Sequence, residues 1–135
     1  MPHQLLRPFQ RRERILFCSA AHWLSDTLWL VRDRMEFSSG WIYERKMFAE
    51  LVAPDRIHVT ADDMPLGADI HLHEHGFRFT PYRAWGSFHG RRYRMRFHDE
   101  CVLDEQGRIH DTIRMYYFGF PVATMFLGPL ERHAQ

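Results

Sequence analysis

Cysteine is scarce in this chain, and what there is excludes several chemistries. Cys18 and Cys101 are too few and too far apart for a disulfide framework, a CxxC redox pair or a zinc-finger spacing. A dominant charge sign is missing too. The 18 basic and 17 acidic residues leave a formal net charge of +1, so no global pull toward nucleic acid or a membrane surface is expected. No run approaches the roughly 20 apolar residues of a transmembrane helix. The stretch RPFQRRER before ILFCSAA imitates the start of a lipoprotein signal. Its apolar core spans only Ile15 to Phe17, however, against the roughly 7–15 residues such a signal needs. Phe17 also stands where a small residue must precede a lipidated cysteine. Glycine-rich phosphate loops, Ser/His/Asp constellations and zinc-ligand spacings are absent. The expectation is a soluble, cytoplasmic protein with reduced thiols and no cofactor.

What is present is aromatic and periodic. A chain of 135 residues, 45% hydrophobic and 15% aromatic, is most simply one domain with its own core, and that aromatic load suits strands and a lined interior. Residues 1–10 read as a flexible tail. Over 11–26, Leu16, Ala20, Trp23 and Leu24 recur at i, i+4, i+7 and i+8, which predicts a helix packed on the rest of the fold. The barrel domain is expected over 27–130.

From Trp29 the period becomes two: Trp29, Val31, Asp33, Met35 and Phe37 alternate with Leu30, Arg32, Arg34 and Glu36. Further segments of this kind follow at 41–52, 56–63, 68–73, 77–85, 91–103, 108–118 and 122–127, separated by short turns. Short turns force antiparallel neighbours, and about eight of them in series close most economically into an up-and-down barrel. A β-sandwich is the competing arrangement.

Asp69, His71, His73 and His75 fall at period two and first suggest a metal site. Glu74-His75-Gly76 reads as a three-residue hairpin loop, which assigns His75 to the turn and sends His71 and His73 to the solvent face. No metal site is therefore expected there. Parity points inward instead. Tyr93, Met95, Phe97, Asp99, Cys101 and Leu103 share one face; Ile109, Asp111, Ile113, Met115 and Tyr117 share the facing one. Closing that hairpin puts Asp99 opposite Asp111 or one step diagonal, so the two carboxyls need a cation, donors or a shared proton. Trp41, Tyr43, Arg45 and Met47 place Arg45 inward, with Asp63 joining from the next strand. Arg91, Arg92, Arg94 and Arg96 alternate with the aromatics and are expected on the outer face.

The order TADDMPLGA, FTPYR, HGRRYRMRFHDE, LDEQGRIHDTIRM and FGFPVATMFLG over residues 41–127 resembles the bacterial Domain of Unknown Function 3833 family. The resemblance implies a calycin-like, lipocalin-type barrel and no established reaction. The matching positions are Asp62, Asp63, Tyr82, Asp99 and Phe118-Gly119, to which the family assigns no roles. Many members look like exported lipoproteins, whereas this chain lacks a usable lipobox. It also carries Met64-Pro65-Leu66 in place of a glycine-rich run.

The leading functional expectation is a lipocalin-like barrel holding a small hydrophobic molecule. Trp29, Trp41, Tyr43, Phe79, Met95, Phe97 and Met115 would line its cavity, and Arg45, Asp63, Asp99, Asp111, Tyr93 and Tyr117 would supply polar contacts. The alternatives are an isomerase, cyclase or hydrolase using the Asp pair, and a structural or interaction module whose outer arginines meet an acidic partner. Haem binding stays open through His22, His58 or His110 as axial ligands. A homodimer is an admissible assembly; nucleic acid and membrane are not expected partners.

Overall fold

A computed structural model describes residues 4–6, 13–88 and 91–130. All regular structure among them is β. The strands are β1 (Gln4–Leu6), β2 (Glu13–Trp23), β3 (Leu28–Phe37), β4 (Ile42–Ala53), β5 (Arg56–Ala61), β6 (Met64–His73), β7 (Gly76–Phe79), β8 (Tyr82–Phe88), β9 (Arg91–Leu103), β10 (Ile109–Tyr117) and β11 (Phe120–Leu130). Every pairing is antiparallel.

The order runs β2 to β7 in sequence, then β9, β10 and β11, with β1 bridging β11 back to β2. β7 pairs with one end of β9 and β8 with the other, so the two act as one strand interrupted at Thr80-Pro81. Proline has no N–H to give a ladder. At the interruption Thr80 instead bonds Asp69 of β6 through its own N–H, at 2.7 Å to the carbonyl. Its hydroxyl takes the Asp69 N–H at 3.0 Å. The result is a nearly closed barrel. Nine strand positions make most of the ring, and β1, three residues long, is the tenth.

The helix expected over 11–26 does not form; residues 11 and 12 lie outside the described residues, and 13–23 are β2. Ile15 through Trp23 pair with Phe37 back through Trp29. The helical stripe read from Leu16, Ala20, Trp23 and Leu24 is largely a solvent face, with Leu16 66% and Trp23 71% exposed. The residues that go inward are the other parity, with Ile15 buried and Phe17 packed on the core. Tertiary demand outweighed local pattern, because without β2 the hydrogen-bonding edge of β3 would be left open. Residues 4–6, expected within a flexible tail, also pair as β1.

The β6–β7 hairpin is tighter than expected. His73 pairs with Gly76, so the loop is the two residues Glu74-His75, and Gly76 belongs to β7. Gly76 has φ +143°, and a Cβ there would lie 2.1 Å from the carbonyl oxygen of Cys101. Only glycine lets β7 close on β9 at that point. Phe118 (φ 50°) and Gly119 (φ 79°) form the β10–β11 turn, both in the left-handed region that two-residue hairpins favour. No helix is long and apolar enough to cross a membrane among the described residues.

Candidate functional site

Antiparallel alternation sends one side chain in two to the interior, but the interior is not uniform. Turns at Ser38–Gly40, Asp62-Asp63 and Phe118-Gly119 mark one end of the barrel, and packed side chains fill it. Phe37, Met64, Ala84, Met95, Phe97, Met115 and Ala123 are all buried there. Tyr82 stacks on Phe97 at 5.4 Å between ring centroids, and Tyr93 meets Tyr117 edge-on at 5.4 Å. Toward the other end, marked by the turns at Pro54-Asp55, Glu74-His75 and Asp104–Gly107, the interior opens into a cavity of about 410 Å³. Trp29, Val31, Ile57, Ile70, Leu72 and Phe77 are among its apolar walls.

A polar layer lies at the base of the cavity, and strand register builds it. Ser19, Asp33 and Arg45 stand directly opposite one another on β2, β3 and β4. β5 ends level with Met47, while β4 continues past it, so the turn residue Asp63 comes alongside Arg45. The Arg45 guanidinium donates to Asp63 at 2.8 Å and to the Tyr43 hydroxyl at 2.9 Å; Tyr43 in turn donates to Asp63 at 3.1 Å. Burial works to lower the Arg45 pKa, but the oxygens of Tyr82, Tyr43 and Asp63 outweigh it and hold the group above its ordinary value. Burial, reinforced by Asp99, likewise pushes the Tyr82 phenol up. Ser19 donates to Asp33 at 2.6 Å, yet burial still raises Asp33 above the usual carboxylate range.

The opposite wall carries the acid pair. Ile113 is opposite Asp99 and Cys101 opposite Asp111, which makes the two aspartates diagonal neighbours. Burial raises Asp99 well above an ordinary carboxyl, and the adjacent Asp111 raises it further. Asp111 is also raised by burial, less so because Asp99 and Cys101 hydrogen-bond to it. Both directions favour the protonated form, and in the hydrogen bond between the two carboxyls Asp99, the more strongly raised, is the donor. The Cys101 thiol, pushed up by burial and by the two carboxyls, stays protonated and donates to Asp111 as well. Each aspartate nonetheless keeps one oxygen, Oδ1, buried without a hydrogen-bond partner.

Of the residues singled out from sequence, Trp29, Phe79, Arg45, Asp99 and Asp111 line the cavity. Asp63 and Tyr43 support Arg45 from the filled side. Trp41 lies between Phe37 and Tyr43 at the filled end, its ring tilted to both. Tyr93, Tyr117, Met95, Phe97 and Met115 pack the filled end rather than the cavity wall. Four residues of the polar layer were not among the candidate site residues: Ser19, Asp33, Tyr82 and Cys101, although parity puts Cys101 inward and Tyr82 is a matching position of the family resemblance. Asp33 shares the parity of Trp29, Val31, Met35 and Phe37, and that signal alone would have found it. Ser19 was hidden by the helical reading of its segment.

The histidines singled out from sequence do not face the cavity. His71, His73 and His75 are exposed. His22 is exposed, His58 pairs with Asp69 at 2.8 Å, and His110 pairs with Asp104 at 3.0 Å. None of the three lines the cavity, so an axial haem ligand within it cannot come from them. Arg92, Arg94 and Arg96 face solvent as expected, with Arg92 lying over the Trp85 ring at 5.3 Å.

Comparison with family models, with curated proteins and with solved structures returned no match to this chain.

Proposed function

We propose that this protein is a lipocalin-like barrel that takes up a small, mainly apolar molecule in its interior. The observation that carries the reading is the 410 Å³ cavity, walled by aliphatic and aromatic side chains with a few polar groups gathered at one place. That volume falls within the ~300–1,000 Å³ of small-molecule sites, and the wall composition is the one such sites use. Membership of the Domain of Unknown Function 3833 family and a cytoplasmic setting accord with this reading and belong to the same proposal.

Trp29 reports occupancy, because it lines the cavity. In a variant with Trp23, Trp41 and Trp85 replaced by phenylalanine, n-octanol is expected to shift Trp29 emission saturably. Adding Ala49→Leu, which extends a side chain into the cavity, should weaken that response by about tenfold, or ~1.4 kcal/mol. A linear, unsaturable response unaffected by Ala49→Leu sinks the reading.

The hydrogen-bonded carboxyls of Asp99 and Asp111 favour a second one, acid–base catalysis on a bound molecule by an isomerase, cyclase or hydrolase. Turnover separates the two: an enzyme converts the molecule that co-purifies with it from its host to a new mass and loses that conversion in Asp99→Asn, whereas a carrier returns the molecule unchanged.

A further inference from the structure

The base of the cavity holds more carboxyl groups than cations. Among the described residues of the polar layer, Asp33, Asp63, Asp99 and Asp111 meet one guanidinium, that of Arg45. That guanidinium is already engaged by Asp63, Tyr43 and Tyr82. Asp33 accepts from Ser19. Asp99 and Asp111 hold each other, and Cys101 donates to Asp111. Asp99 Oδ1 and Asp111 Oδ1 are buried and accept no hydrogen bond from any of these groups, and Asp99 as a whole is only 7% exposed. Native folds rarely leave such atoms unpaired, because each forfeits the hydrogen bonds it made to water. Both residues line the cavity, so a molecule seated there is placed to supply what the protein does not.

From this geometry we infer that the interior ligand carries a positively charged, hydrogen-bond-donating head, an alkyl- or arylammonium group, seated against Asp99 and Asp111. Its apolar body lies along Trp29, Val31, Ile70 and Leu72. The inference rests on the reading of the barrel as an interior binder and adds the chemical class of what it binds. An ammonium has three N–H donors and a charge opposite to that of the layer. A hydroxyl head offers one donor and no charge. A carboxylate or phosphate head would bring a further negative charge against four carboxyl groups. A metal ion is the other occupant with the right sign, since donor atoms of Asp99, Cys101 and Asp111 lie within 4.8 Å of one another. It would leave the apolar walls without a role, whereas an organic cation accounts for walls and base together.

The test is calorimetric titration of the full-length protein at neutral pH with n-octylammonium, n-octanol and octanoate, and with Zn²⁺ alone. Octylammonium is expected to bind at least about tenfold tighter than octanol, with octanoate weakest. Asp99→Asn and Asp111→Asn should each reduce that preference to within about threefold. The wild-type ranking decides by itself if either variant fails to fold. Octanol or octanoate binding as tightly as octylammonium overturns the inference, as does a preference that survives both substitutions. Zn²⁺ binding that depends on Asp99 and Asp111, with no effect of octylammonium, reassigns the site to a metal and overturns it too. Failure of all three octyl probes instead removes the interior-binding reading beneath it.

Discussion

The two ends of the barrel are built by the same alternation and finish in opposite states. At the end turned by Ser38–Gly40 and Phe118-Gly119, methionines and aromatics interlock until the interior is full. At the end turned by Glu74-His75 and Asp104–Gly107, branched aliphatics and single aromatics ring a space they do not close. Met64, Met95 and Met115 are long and unbranched and can bend into irregular gaps at the filled end, whereas Val31, Ile57 and Ile70 on the cavity wall are stiffer at χ1. The polar layer sits at the boundary between the two, where the filled end supports Arg45 and the hollow end exposes the acid pair to a cavity.

The largest expected effect comes from breaking the boundary. Arg45→Met leaves Asp63 buried without its cation and should destabilise the fold by about 3–5 kcal/mol. Urea unfolding measures it, and a loss under about 1 kcal/mol, as for an exposed pair, would show that the layer does not hold the two ends together.

Truncation compares the ends directly. Met64, 2% exposed and fully packed, should cost about 2–5 kcal/mol on replacement by alanine. Ile70→Ala should cost less, roughly 1–2 kcal/mol, since one side of Ile70 already faces the cavity and has few atoms to lose contact with. Equal losses in the two variants would mean that the hollow end is packed as tightly as the filled one.

The smallest effect is a pH dependence confined to the boundary. Asp99 and Asp111 are raised in the folded protein, so the neutral or shared-proton form is the favoured one. Their contribution to stability is present below the unfolded carboxyl pKa of about 3.9 and is lost as pH rises through the raised folded value. Asp99→Asn keeps a donor toward Asp111 and removes the titration. It should therefore stabilise the protein by about 0.5–1.5 kcal/mol at pH above the raised value and by little at acid pH. Thermal unfolding across pH reads this. Asp104 runs the opposite way: hydrogen bonds from His110, then from the Arg108 and Gln106 backbone, lower its pKa. Its stabilisation is present above about pH 3.9 and is lost as pH falls. A variant whose benefit grew toward acid pH would contradict the assignment of the proton to the acid pair.

Much of the strand pattern was legible. The segment 77–85 is split by Pro81 into β7 and β8, and the two strands missed, β1 and β2, are those whose local pattern was weak or misleading. In and just after β2 the residues Leu16, Ala20, Trp23 and Leu24 satisfy a helical period, while Ile15 and Phe17 satisfy a strand period. Eleven residues do not discriminate between them. The candidate site was legible in direction only. Parity put Arg45, Asp99 and Asp111 inside, but it also put Tyr93, Phe97 and Met115 inside, and these belong to the packing of the filled end.

What the sequence determined by itself is the face each side chain presents, because the two-residue period of a strand is a property of the backbone and needs no partner. Which inward residues meet, and whether they meet one another or a void, was decided only in the tertiary structure. Stagger between β4 and β5 lifted Asp63 to Arg45, and the register of β9 on β10 set Asp99 diagonal to Asp111. Ring closure then carried that pair across from Asp33. Such distances depend on the pairing of strands far apart in the chain, and a cavity is what remains when all of those pairings have been made.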